Sequence, residues 1–462
     1  MITKSIRNAS LFRKKSAGML ALPFALLIAA FIKFKFLSQP SLWPDEALYL
    51  FISRNLSSNP FDLKDMSGGI FYQSPPLLMY LLSLFEKLPL ADFERTARTV
   101  VALMGTATVY LTYLIGRKLY HPVVGLMAAG FLAVCPLNNW IGVRILTDTP
   151  VVFFIYLAIC MLLHERRAAF YLFGICAVLT KYSAFPVLLL PFLSGLRPRI
   201  WAWGYAGLFL LLGGFVAIKA FLPAPGGWPG YFYNFFQMPE PSQVAAEAAY
   251  FLGGVVMLLA IVGLAAAVRQ RQFSALFHWF CLFAIFRLFL PWVVFRVSRY
   301  TLPLYPALFV FAALGIREIV RFASARWPGY KRLAVFFFGV AISSVLFHHT
   351  MKSLDILGKT RDTFTGFKEA AAFIRSGPAP HRIATASPRQ MKYFGPEFEV
   401  RDIPPDISAE NLRAVIERHR ITYLVIDLWS PHLPAWCRDY PYAKNGYVMV
   451  HAGQNVFVFK TR

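Results

Sequence analysis

The sequence predicts a polytopic α-helical membrane protein of about eleven transmembrane helices, closed by a small C-terminal α/β domain. Three observations predict it. Hydrophobic residues make up 57% of the 462-residue chain and charged ones only 15%, with mean hydropathy +0.53, which is too little charge to cover soluble domains of this size. Long apolar segments recur through the first 350 residues, as membrane helices require. Basic residues fall in every second connection between those segments, the bias that sets membrane orientation.

The first apolar segment, 17–37, follows Lys4, Arg7, Arg13, Lys14 and Lys15. It is long and has no small-residue cleavage site, so it reads as a retained helix with its basic flank in the cytoplasm. Further crossings are expected near 96–116, 122–137, 148–163, 168–181, 183–196, 201–222, 248–268, 275–295, 300–317 and 333–350. Arg117 and Lys118, Arg166 and Arg167, Arg197 and Arg199, Arg269 and Arg271, and Arg317 to Arg332 then all become cytoplasmic. Segments 38–95, 138–147, 182, 223–247 and 296–299 face out. Because the basic pairs on either side of 168–196 must share a side, that stretch is expected to be a short hairpin with Lys181 and Tyr182 at its outer tip. Ser74–Leu88 is expected to be a helix lying along the outer surface, with Glu86 and Lys87 at the interface.

After residue 351 the composition changes. Short β-like runs at Arg382–Ala386, Phe398–Asp402, Ile421–Asp427, Tyr447–His451 and Asn455–Lys460 alternate with amphipathic helical patterns at Thr363–Arg375 and Ser408–His419. Residues 1–350 therefore form a membrane domain with a long first outer loop, 38–95. Residues 351–462 form an α/β domain, placed outside the cytoplasm by the odd number of crossings. The net charge of +24 does not point to nucleic acid, because the cations sit between apolar runs rather than on one exposed face. The five cysteines form no close pair, so neither a disulfide framework nor a zinc site is indicated.

Outer loops of this length usually carry function, and this one holds Trp43-Pro44-Asp45-Glu46. The adjacent acids could serve as a general base and its support or as metal ligands; equally, Pro44 and two acids suit the first turn of a short helix. Asp148 stands at the outer start of a crossing, where it could act as a cap or join Asp45 and Glu46 on one membrane face. Cations expected on that face are few: Lys181, Arg296 and Arg299, the last followed by Tyr300. A lipid phosphate is the natural partner for such cations, with snorkelling to headgroups as the structural alternative. His348-His349 has no metal-ligand spacing.

The series Trp43-Pro-Asp-Glu-Ala-Leu-Tyr, Ser74-Pro-Pro-Leu-Leu-Met-Tyr, Arg95-Thr-Ala-Arg98, Leu146-Thr-Asp-Thr-Pro, Leu179-Thr-Lys-Tyr and Arg299-Tyr-Thr-Leu-Pro-Leu-Tyr-Pro resembles the GT-C glycosyltransferases. The protein O-mannosyltransferase superfamily and the bacterial lipid A aminoarabinose transferase are the most similar, and the resemblance covers about residues 17–320. It implies a membrane enzyme that moves a sugar from a polyprenyl-phosphate carrier to an extracytoplasmic protein, lipid or glycan. By the same resemblance, Asp45 matches the catalytic acid, with Glu46 its partner and Asp148 the second acidic position. Lys181, Arg299 and Tyr300 match positions near the carrier phosphate, and a divalent metal on Asp45 and Asp148 is an option. Where the aminoarabinose transferase has Glu-Lys before its double proline, this chain has Gln73-Ser74, a departure that bears on both metal and sugar. No strand-turn-helix GxGxxG fingerprint is evident, and none is needed with a pre-activated donor. The alternatives from other classes are a lipid-linked sugar flippase and a catalytically silent membrane scaffold.

Overall fold

The structure, a computed structural model, describes residues 20–38, 42–72, 74–87, 92–195, 200, 202–211, 250–251, 253–289, 298–430 and 432–461. The N-terminal cations, Gln73, Arg197, Arg199, Arg296 and the expected outer connection 223–247 lie outside the described residues. The chain divides into two compact units built from interleaved segments: residues 1–34, 100–143 and 147–354 form the first, and residues 35–99, 144–146 and 355–462 form the second. The first outer loop thus belongs to the same unit as the C-terminal sheet.

The first unit is helical. Among the described residues, Phe93–Leu119, Arg299–Arg326 and Val335–Lys359 are long and apolar enough to cross a membrane, and Pro122–Val134 with Pro136–Gly142 is long and apolar enough as a pair, bent by 58° into a broken span or a re-entrant loop. Shorter apolar helices include Asp148–Leu163, Arg167–Thr180, Gly254–Arg269 and Ala275–Phe289. Two expected ends move: the helix begun at Tyr305 continues to Arg326, and Lys331–Lys359 is one helix. Residues read as connection, such as Arg321, therefore lie on a helix, where Arg321 sits 3.5 Å from Glu318. Helices Gly254–Arg269 and Tyr305–Arg326 cross where each has a glycine. A Cβ at Gly263 would lie 1.8 Å from the Phe311 carbonyl oxygen, and one at Gly315 would lie 2.1 Å from that of Leu259. With no hydrophobic driving force between helices in lipid, such close backbone approach supplies the packing energy.

The expected hairpin is present. Helix Arg167–Thr180 ends before an extended Lys181, and a 3-10 segment Tyr182–Leu189 follows. A Cβ at Gly174 would meet the Leu188 side chain at 2.7 Å, so the two arms fold back on each other around Lys181.

In the second unit, helix Pro44–Ser58 packs with helix Leu77–Glu86, joined by Arg54 and Glu86 at 3.6 Å. The C-terminal part is a five-stranded sheet in the order β2-β1-β3-β5-β4. Its strands are β1 (Arg382–Thr385), β2 (Glu399–Asp402), β3 (Tyr423–Asp427), β4 (Val448–Ala452) and β5 (Val456–Lys460). β1 pairs in parallel with β2 and β3, and β5 runs antiparallel to β3 and β4. Central β3 is buried throughout. Its residues alternate between two cores, Tyr423 and Val425 facing Phe367, Ile374 and Phe398, and Leu424 and Ile426 facing Leu412 and Ile416. Burial of Phe367 and Phe398 contributes about 1.5–3 kcal/mol each. Ser408 caps helix Ala409–Arg418, accepting a hydrogen bond from the Asn411 amide at 3.2 Å.

Candidate active site

In the helical unit, four of the expected site residues meet. Asp148 begins helix Asp148–Leu163 and is almost fully buried. Lys181 Nζ donates to Asp148 Oδ1 at 2.6 Å, and Arg299 Nε lies 3.8 Å from Asp148 Oδ2. Tyr300 completes the group, its ring centroid 4.2 Å from Lys181 Nζ and 5.5 Å from the Arg299 guanidinium carbon. The two cations keep side-chain exposures of 21% and 16%, so they are shielded without being sealed. Two cations against one carboxylate leave one net positive charge, where a partly desolvated position strengthens attraction for an anion.

Local structure explains the convergence. The end of helix Arg167–Thr180 fixes Lys181, whose backbone amide donates to the Ala177 carbonyl at 2.9 Å. Arg299 and Tyr300 lie in the 3-10 segment Ser298–Leu304. That segment is tied down by the buried Tyr156, whose hydroxyl donates to the Pro303 carbonyl at 2.9 Å and accepts from the Ala307 amide at 3.0 Å. Trp279 Nε1 donates to the same Pro303 carbonyl at 3.2 Å. Tyr156 lies on the helix that begins with Asp148, so one helix supplies the carboxylate and clamps the arginine-bearing turn. Neither Tyr156 nor Trp279 stands out in the sequence, since each looks like one more aromatic in an apolar run.

Asp45 and Glu46 lie in the other unit, in the first turn of helix Pro44–Ser58. The pair are first-turn acids, as the structural reading has it, and they differ sharply in environment. Glu46 is fully buried. Its carboxylate accepts from the Trp43 amide at 2.9 Å and the Ile145 amide at 2.8 Å, with Arg98 Nε at 3.5 Å and Arg144 Nη1 at 3.7 Å. The Arg144 guanidinium also stacks over Trp43 at 4.1 Å. Asp45 is partly exposed, and its Oδ1 accepts from Arg389 Nη1 at 2.9 Å. Arg389 lies on helix Pro388–Phe394, which sequence reading missed because seven residues are too few to display a period. Arg98 closes one of the sequence motifs and Arg144 lies two residues before another, but neither carried a sign of meeting Glu46.

The side chains around Asp45 and Asp148 do not fit a metal ion. Each carboxylate already accepts from a cationic side chain, and a divalent ion there would face that like charge at close range. Among the described residues, no group of three or more His, Cys, Asp or Glu side chains is arranged to hold a metal.

The fold of the chain is that of the GT-C glycosyltransferases. Residues 73–223 match the family model described as dolichyl-phosphate-mannose-protein mannosyltransferase. No curated protein matches the sequence. Among solved structures, the chain is similar to ArnT from Cupriavidus metallidurans in the apo state, with TM-score 0.60 and 13% identity over 97% of this chain and 98% of that one. The form of ArnT bound to undecaprenyl phosphate gives 0.58 and 13%, over 96% and 97%. The Archaeoglobus fulgidus oligosaccharyltransferase gives 0.61 and 12%, over 97% of this chain and 75% of that one.

Proposed function

We propose that the protein is an integral membrane glycosyltransferase that transfers a sugar from a polyprenyl-phosphate donor to an extracytoplasmic acceptor. The observation that carries this reading is the shielded Asp148–Lys181–Arg299–Tyr300 cluster, with its one net positive charge. In the reaction, the acceptor oxygen bonds to the anomeric carbon as the bond from that carbon to the phosphate oxygen breaks. Negative charge gathers on the departing polyprenyl phosphate, and Lys181 and Arg299 stabilise it electrostatically. Asp148 orients both cations, and Tyr300 packs beside them. Asp45, the more exposed acid of its pair, takes the acceptor proton as general base, while Glu46 holds the loop that carries it. Direct displacement inverts the anomeric centre. Solved structures of similar fold support the donor class, since ArnT is bound to undecaprenyl phosphate in one and the archaeal oligosaccharyltransferase AglB is in complex with an inhibitory peptide and a dolichol-phosphate in another.

Eleven crossings, a cytoplasmic N-terminus, a catalytic membrane domain over 1–350 and an extracytoplasmic domain over 351–462 belong to the same proposal. Reconstituted transfer from a radiolabelled polyprenyl-phosphate sugar is the test. Asp45→Asn should lower turnover by roughly 10²–10⁴-fold at unchanged membrane abundance. Lys181→Ala should chiefly raise the apparent KM for the lipid donor. Full turnover in both Asp45→Asn and Asp148→Asn would sink the site assignment, whereas leaflet-to-leaflet movement of labelled lipid-sugar with no new glycosidic bond would replace the enzyme with a flippase.

A further inference from the structure

A cleft of about 530 Å³ lies wholly within the second unit, between the Asp65–Ser67 turn of the first outer loop and strand β2 of the C-terminal sheet. Its volume is within the roughly 300–1,000 Å³ of small-molecule sites. Six charged residues line it, Asp65, Glu399 and Asp402 against Arg389, Lys392 and Arg401, so the lining carries no net charge. Apolar contact comes from Leu48 and Met66, among others. Arg389 joins the cleft to the reacting group assigned above, since the guanidinium that lines it donates to Asp45 at 2.9 Å. Leu48 lies three residues from Asp45 on the same helix, hence on the same face.

Backbone groups add to the wall. β2 is an edge strand, and all four of its residues, Glu399 to Asp402, line the cleft. The amides of Glu399 and Ile403 point to β1, donating to the His381 and Thr385 carbonyls. In a parallel ladder the alternate residues turn their amide and carbonyl groups the other way, so those of Val400 and Asp402 point away from β1. The opposite wall is a tight turn: the Ser67 amide donates to Asp65 Oδ1 at 2.8 Å, and Gly68 takes φ +86°.

We propose that this cleft is the acceptor subsite and that it takes a neutral, hydroxyl-rich saccharide. The inference rests on the glycosyltransferase reading and names the acceptor class for it. Carboxylates, guanidinium groups and backbone edges supply closely spaced donors and acceptors, which match vicinal hydroxyls. A balanced lining gives no electrostatic pull on a phosphorylated or other strongly anionic headgroup. Leu48 and Met66 offer apolar contact to the C–H face of a sugar ring. Arg389, shared between cleft and Asp45, places the acceptor hydroxyl beside the base.

The test uses full-length protein in nanodiscs. The probe is a fluorescently labelled pool of neutral oligosaccharides released from the envelope of the host cell, with undecaprenyl phosphate binding measured in parallel. Wild type should retain part of the pool saturably. An Arg401→Ala/Asp402→Ala double variant, altering two exposed residues, and Ser67→Trp, which fills the cleft without removing charge, should each weaken retention at least tenfold. Undecaprenyl phosphate binding should be unchanged in both. The proposal is overturned if wild type retains none of the pool, if retention is unchanged in both variants, or if only anionic glycolipid or unglycosylated peptide binds at the cleft. Should those results coincide with Asp45-dependent transfer and intact undecaprenyl phosphate binding, the glycosyltransferase reading stands and only the acceptor assignment falls. Loss of undecaprenyl phosphate binding by wild type would instead remove the reading beneath it.

Discussion

Asp45 and Glu46 are neighbours in sequence with opposite relations to water, and the proposal gives catalysis to the first and scaffolding to the second. Glu46 is the carboxylate set against the buried Arg98 and Arg144, so removing it leaves more guanidinium charge uncompensated in the interior, at a cost of about 3–5 kcal/mol. Against a typical total stability of ~5–15 kcal/mol, Glu46→Ala should sharply reduce the monodisperse, detergent-solubilised protein, whereas Asp45→Asn should not. Equal melting temperatures for the two variants would refute a scaffold role for Glu46. Asp427, at the end of β3, gives a pH test. Burial raises its pKa from 3.8 to about 6, against the opposing effect of hydrogen bonds from the Trp429 amide and the Ser387 hydroxyl. Below about pH 4 the carboxyl is protonated in both folded and unfolded chains. Between about 4 and 6 only the folded chain holds the proton, so stability falls as pH rises, by on the order of 1–3 kcal/mol, and stays lowered above 6. Asp427→Asn should flatten that slope, read as hydrogen exchange of the β3 amides corrected for intrinsic rate. Charged residues in unusual places were legible in the sequence, as Lys181 and Arg299 show. Which charges meet was not, because Glu46 finds Arg144 across 98 residues through folding that no local pattern encodes.

At the scale of elements, periodicity was informative where an element has one exposed face or a clear break. All five strands fall within about two residues of their expected positions, because alternation marks a half-buried sheet. The ends of long membrane helices were not legible, since the basic residues that mark the membrane boundary are good helix formers and let Tyr305–Arg326 run on. The Gly263–Gly315 crossing was also hidden, glycine being common in membrane helices for several reasons. It makes a firm prediction. Gly263→Ala must displace the backbone at Phe311, so the purified variant should aggregate or melt well below wild type on size exclusion. Gly339→Ala, with nothing within 4 Å of its new methyl, is the control expected to behave as wild type.

At the scale of the molecule, the change of composition after residue 351 marked off the strands and helices of the C-terminal α/β part. It could not show that the first outer loop is built into the unit containing the C-terminal sheet, because long-range partners such as Trp43 with Thr363, 3.3 Å apart, and Asp45 with Arg389 leave no trace in local composition. A chain ending at Leu354 removes Thr363 and Arg389 from those contacts. Limited proteolysis should then cut segment 38–95 far faster than in the full chain, and equal protection would show that the loop stands alone. The interleaving also has a consequence in time. Segment 35–99 is synthesised 256 residues before residue 355, which at ~5–20 residues per second is a wait of about 13–50 s. Throughout that interval the ribosome has delivered the Asp45 loop without the sheet that completes it. The contacts that tie this loop to the sheet are therefore made late in synthesis at the earliest.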